Sequence, residues 1–150
     1  MTVTLSGADS ARKITASFPG AVIETGTQAV VVKSEYLQAI AEHLKNSPDM
    51  AFNYLSDLTA VDYLDYFELV YRLTSLKNNQ TLVLKVRLYD REKPEISSIT
   101  GIWQGADFME REIFDLMGIR FSGHPNLKRI FLWEGFSGHP LRKDYIGERA

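Results

Sequence analysis

The clearest signal along the chain is alternation. Over Tyr66–Ser75, Phe67, Leu69, Tyr71 and Leu73 fall on one side and Glu68, Val70, Arg72 and Thr74 on the other. Over Thr81–Tyr89, Leu82, Leu84, Val86 and Leu88 oppose Val83, Lys85 and Arg87. A period of two predicts half-buried β-strands, and Lys77-Asn78-Asn79-Gln80 predicts the turn that pairs them antiparallel. Phe52–Tyr63 predicts a third strand. Ala21–Glu24 and Gln28–Lys33, rich in β-branched residues, predict a hairpin around Thr25-Gly26-Thr27. Leu37, Ile40, Ala41 and Leu44 recur at helical spacing within Glu35–Lys45, with Ser34 placed to cap the helix and Asn46–Asp49 to end it. A second helix is expected from near Gly105 to Met117, with Gly118 as its left-handed stop. The first ten residues are small and polar and are expected to be loose, followed by a short helix end at Ile14–Phe18. Arg91–Pro94 reads as a charged loop. The expected class is α+β: a mostly antiparallel sheet, two main helices, and a long irregular C-terminal arm.

The boundary falls at Gly118, giving an α+β domain over 1–118 and an arm over 119–150. The arm holds four of the ten glycines and two of the five prolines and has little periodicity. It is also apolar, with Phe121, Ile130, Phe131, Leu132, Trp133, Phe136 and Tyr145. A stretch both irregular and apolar needs a surface to lie on, and a partner polypeptide is expected to supply it. Phe121-Ser122-Gly123-His124-Pro125 recurs fifteen residues later as Phe136-Ser137-Gly138-His139-Pro140. Two copies read as two similar turns, because a stacked repeat architecture needs about three units.

Composition removes several chemistries. Lys plus Arg (17) against Asp plus Glu (19) leaves a formal charge of −2, which gives no electrostatic pull toward nucleic acid or an anionic membrane. There is no cysteine, so the usual ligands of iron–sulfur clusters, catalytic thiols and thiolate zinc sites are missing. The longest apolar runs, Ala29–Val32 and Ile130–Trp133, fall far short of the roughly 20 residues of a membrane span. The first residues lack the basic-then-apolar pattern of a secretory signal. A chain of 150 residues suits one domain with a real core.

The densest charge cluster is Asp107, Glu110, Arg111, Glu112 and Asp115. Paired carboxylates can do acid–base work when burial separates their pKa values. The competing reading is a solvated or interfacial helix face, with Arg111 and Asp115 pairing four residues apart. His124 and His139 lack the tight spacing of a zinc signature. No phosphate loop, dinucleotide fingerprint or nucleophile elbow is present. Lys128-Arg129 and Arg142-Lys143 stand beside acids and aromatics, a mixture typical of protein interfaces.

The run Glu110-Arg111-Glu112-Ile113-Phe114-Asp115-Leu116-Met117-Gly118-Ile119-Arg120-Phe121, then Gly123-His124-Pro125-Asn126-Leu127-Lys128-Arg129-Ile130, resembles the signature of the C subunit of NADH–quinone oxidoreductase, respiratory complex I. Gly138-His139-Pro140-Leu141-Arg142-Lys143-Asp144-Tyr145 resembles the closing motif of that family, and Tyr54–Tyr63 and Ser98–Trp103 are similar to its upstream text. The resemblance implies a member of the hydrophilic arm with no catalytic, cofactor or metal residues of its own. NADH, FMN, iron–sulfur clusters and quinone would lie elsewhere in a proton-translocating complex. It implies the large D subunit of complex I as main partner, with the B and I subunits nearby, and a peripheral place on the cytoplasmic face of the cell membrane. The interface residues it points to are Glu110, Arg111, Glu112, Asp115, Phe121, His124, Arg129, Trp133, Arg142, Lys143, Asp144 and Tyr145. Related hydrogenases and ferredoxin- or deazaflavin-linked complexes carry a similar subunit. Ile146-Gly147-Glu148-Arg149-Ala150 stands where the family often places Pro, so a short extension along the partner is expected.

Overall fold

The computed structural model describes residues 1–147; Glu148, Arg149 and Ala150 of the expected extension lie outside them. The chain forms β1 (Val3–Thr4), α1 (Gly7–Ser17), β2 (Val22–Thr25), β3 (Ala29–Val32), a 3-10 turn (Ser34–Tyr36), α2 (Leu37–Asn46), β4 (Tyr54–Asp62), β5 (Phe67–Ser75), β6 (Gln80–Leu88), β7 (Glu95–Ser97), α3 (Ala106–Met117) and β8 (Arg120–Ser122). The main sheet runs β2-β3-β6-β5-β4, with β1 also beside β6. All its pairings are antiparallel except those of β1 and β3 with β6.

The alternating faces set the register. Leu69 opposes Val86, Tyr71 opposes Leu84 and Leu73 opposes Leu82, so the inward row of β5 meets that of β6. These side chains are buried with Leu37, Ile40, Ala41 and Leu44 of α2 and with Phe52. Fully burying a large apolar side chain contributes about 1.5–3 kcal/mol, so this shared interior holds sheet and helix together. Ile113 and Met117 bring α3 into the same core. Trp103 anchors the approach to α3 by donating its indole N–H to the Phe52 carbonyl (3.1 Å).

The N-terminal segment departs from expectation: it is ordered and adds a third helix. Ser6 caps α1 by accepting the Asp9 N–H at 3.1 Å. The buried residues of α1 are Gly7, Ser10 and Ile14, only one of them a large hydrophobe. Small residues let the helix approach the β2–β3 hairpin closely, and they leave no apolar stripe to read in the sequence. Ser34 is likewise corrected. It lies inside the 3-10 turn that leads into α2, and the start of this helix has no side-chain cap. A second, two-stranded sheet joins β7 in parallel to β8 and buries Ile96 and Phe121.

A Cβ at Gly7 would sit 1.8 Å from the Gly26 carbonyl oxygen, a backbone atom. Gly7→Ala is therefore expected to cost about 1–3 kcal/mol and to lower the thermal midpoint by several degrees. Gly101→Ala, with open space at its Cβ, serves as the near-neutral control in the same melting experiment.

Candidate functional site

The charged face of α3 and the segment after β8 form one structure. His124 lies beside the first turn of α3: its Nδ1 accepts the Asn126 N–H (2.9 Å), so Nε2 carries the proton and faces the Asp107 carbonyl at 3.1 Å. One turn on, Arg111 donates to the carbonyls of Lys128 (3.1 Å) and Arg129 (3.2 Å). At the next turn Asp115 accepts three successive backbone N–H groups through one oxygen, from Ile130 (3.2 Å), Phe131 (2.8 Å) and Leu132 (3.1 Å). The Arg129 guanidinium is 3.4 Å from its other oxygen. The arm then turns back, and His139 donates through Nδ1 to the Asp115 carbonyl (2.9 Å). The two Phe-Ser-Gly-His-Pro turns thus dock near opposite ends of α3. Gly118 permits this return: its φ is +75°, and a Cβ there would strike the His139 ring at 2.6 Å.

Two expectations change here. Arg111 and Asp115 do not pair with each other; each holds a different part of the arm. Glu110, Asp115, Phe121 and the His124 side chain, all expected at a partner interface, are buried within this chain. Glu110 accepts the Ser98 hydroxyl (2.6 Å) and the Ile99 N–H (2.9 Å). Burial pushes its pKa up, and the two hydrogen bonds oppose the rise. The neighbouring Tyr71 hydroxyl is buried without a hydrogen-bond partner among the described residues, and burial, then the Glu110 charge, pushes it up as well. Glu110 has no exposed surface. The surface on which the described arm lies belongs to its own chain. Its outer side remains apolar: Phe131, Trp133, Leu141 and Ile146 are 60–81% exposed. Glu112, Lys143 and Asp144 are exposed and Arg129, Arg142 and Tyr145 half-buried.

Sequence reasoning missed a clip at the far end of the arm. Asp62 ends β4 and is buried. It accepts both Arg91 Nη groups (2.7 and 2.9 Å), the Leu64 N–H (2.8 Å) and the Lys143 N–H (2.9 Å). Arg91 also reaches Asp144 (3.1 Å), which Arg142 holds through Nε (2.8 Å) and Nη2 (2.9 Å). Arg142 donates in addition to the Arg91 carbonyl (2.8 Å). Both guanidinium groups lie against the Phe67 ring, at 4.6 and 5.0 Å from its centroid. Asp62 and Lys143 are 81 residues apart, so no local pattern could have exposed the link.

The open spaces are shallow. A groove of about 240 Å³ lies between β4 and α3, and a wider cleft of about 590 Å³ separates Phe114 from Leu127–Gly135. Among the described residues no three His, Cys, Asp or Glu side chains are placed to hold a metal ion, and no helix is long and apolar enough to cross a membrane.

Fold and site define a class: a small α+β domain carrying a self-anchored arm with an apolar outer face. The family described as respiratory-chain NADH dehydrogenase, 30 kDa subunit, matches residues 30–150, and the chain belongs to it. The NADH-quinone oxidoreductase C subunit of Roseiflexus sp. strain RS-1 is 40% identical over 149 residues, covering 95% of this chain and 85% of the relative. The protein of the same name from Moorella thermoacetica is 46% identical over 132 residues, covering 85% and 87%. A chain from the structure of the membrane-bound sulfane sulfur reductase, an archaeal respiratory membrane complex, shares the fold. Its TM-score is 0.76 over 93% of this chain and 85% of that one, at 21% identity.

Asp115→Ala leaves three N–H groups without their acceptor and removes the ion-pair partner of Arg129, whose Nη2 still donates to the Gly138 carbonyl (2.8 Å), and should cost about 3 kcal/mol. Hydrogen exchange at Ile130–Leu132 should accelerate while β5 amides stay protected.

The Arg91 hydrogen bonds hold the Asp62 carboxyl well below the usual carboxylate range. A depressed folded-state pKa contributes stability above the unfolded value, about 3.9, and loses it as pH falls toward the folded value. The clip should therefore weaken progressively below about pH 4, read as faster exchange of the Lys143 amide. Asp62→Asn should show fast exchange already at pH 7. Glu110 carries the opposite sign: its raised pKa favours folding at low pH and loses that contribution as pH rises through the folded value.

Proposed function

We propose that this chain is the C subunit of a proton-translocating NADH–quinone oxidoreductase, a structural component of its peripheral arm with no active site of its own. The large D subunit of that complex is its main partner, with the B and I subunits adjoining, and the assembly places it on the cytoplasmic face of the cell membrane. NADH, FMN, iron–sulfur clusters and quinone bind on other subunits. The observation that carries this reading is the outer side of the arm. Its backbone is pinned to the parent domain at both ends, yet Phe131, Trp133, Leu141 and Ile146 point away from it. Such a row of exposed anchors suits burial by a second polypeptide, and an already ordered arm loses less entropy when it docks. The relatives of that name, at 40–46% identity, support the choice of complex.

Arg111, Arg129, Arg142, Lys143, Asp144, Tyr145 and Glu112 form the polar rim of this docking side. Arg142 acts mainly by holding the arm, since its donors are spent on Asp144 and the Arg91 carbonyl. An equivalent place in a hydrogenase or a ferredoxin- or deazaflavin-linked complex would bring different donor-side companions.

Affinity purification of the chain in mild detergent tests the proposal. It should recover a large companion polypeptide together with cluster-bearing subunits. Trp133→Ala combined with Phe131→Ser should reduce recovery at least about tenfold and leave the thermal midpoint of the free chain nearly unchanged, because both side chains are exposed. A lone monomer with a turnover of its own would refute the assignment to a complex.

A further inference from the structure

The main sheet ends on one side in the four-residue β2 and on the other in the nine-residue β4, which among the described residues pairs only with β5. A long edge strand presents unpaired backbone N–H and C=O groups, and proteins usually blunt such an edge with Pro, Lys, a bulge or a covering element. β4 contains neither Pro nor Lys. Its irregularity falls between Leu55 and Asp57, and Asp57–Asp62 then keep unbroken register with β5. α3 packs against β4 and leaves a groove between them. The groove of about 240 Å³ between them has an apolar floor that includes Leu58, Met109, Ile113 and Leu116, and it meets the arm only at Leu141. Asp57 and Glu112 stand among its lining residues, both exposed and neither in an ion pair among the described residues; Asp57 accepts the Leu58 N–H (2.9 Å), which leaves the N–H groups of Ala60 and Asp62 as the open donors of this edge.

We infer that β4 is a strand-addition site: an extended segment of a partner polypeptide, with Lys or Arg flanking alternating apolar residues, pairs with its free edge and lays its apolar side chains in the α3 groove. The inference rests on the proposed place in a larger complex for the existence of that partner. The backbone edge selects a strand over a helix or a small ligand, since only an extended chain can satisfy a row of main-chain donors and acceptors. The apolar floor selects alternate side chains for one face of that strand. The two acids select basic flanks, and they argue against a second copy of this chain. Antiparallel pairing of β4 with itself about Leu58 would bring two Asp57–Glu112 rims together, where like charges repel.

Hydrogen exchange on the affinity-purified assembly and on the free chain provides the test. The outward amides of Ala60 and Asp62 should exchange at least about tenfold more slowly in the assembly. Carbodiimide coupling should join Asp57 or Glu112 to a lysine of one companion peptide. Asp57→Lys should weaken retention of that companion about tenfold, while the companions held by the arm stay bound. Equal β4 exchange in a fully assembled complex would overturn the inference and leave the proposed place in the complex standing. Failure of the chain to assemble at all would remove both. Protection of β4 in a dimer of the free chain would assign the edge to self-pairing and overturn the basic-strand partner.

Discussion

The carboxylate of Asp115 sits in the last turn of α3, where the helix dipole disfavours a negative charge, and it is withdrawn from water. Neither cost is met within the helix. Three consecutive N–H groups of residues 130–132 and the Arg129 guanidinium offset them from the arm. The dependence runs both ways. Without the carboxylate, three donors of an irregular segment lose their acceptor; without the arm, a buried charge at a helix C-terminus loses its stabilisation. The path of residues 124–141 follows from this mutual requirement, with Arg111 and the two imidazoles fixing its direction along α3.

Secured at Asp115 and again at Asp62, the arm lies flat with its polar backbone spent inward and much of its apolar side-chain surface outward. That division separates shape from recognition. The hydrogen bonds decide where the arm lies, and most join residues far apart in sequence and involve main-chain groups. Phe131, Trp133, Leu141 and Ile146 keep most of their surface available as contact area, although Trp133 also packs edge-on against Phe136 at 4.7 Å. A stack of Arg91 and Arg142 on Phe67 adds cation–π attraction at the second anchor and ties it directly to the inward row of β5.

The sheet shows a similar economy. One face is covered by the helices, and the other is lined by mixed charges and aromatics. At its centre Glu68 is buried between Lys85 (3.3 Å) and Arg87 (3.1 Å), and Arg87 also lies over the Tyr66 ring. Long side chains shield that face by their own stems. At the β4 edge, α3 and the arm meet the strand on one side and at its Asp62 end, while Ala60 keeps an outward N–H.

Wherever one periodic row of side chains meets another, local sequence determined the result. The rows of β5 and β6, the stripe of α2, the hairpin of β2 and β3, and the stop at Gly118 follow from period and turn chemistry, because each depends on neighbours a few residues away. α1 left no such trace, since it packs through Gly7 and Ser10 rather than an apolar stripe. The motif text over 110–145 also pointed to the family that the match over residues 30–150 shows. Only the tertiary structure decided which acids of α3 face inward. Glu110 meets Ser98 and Ile99, Asp115 meets residues 130–132, and Asp62 meets Arg91 and Lys143. A charged helix reads as solvated until a distant segment returns to cover it, and the pairing of a buried charge is fixed by chain topology rather than by spacing along the sequence.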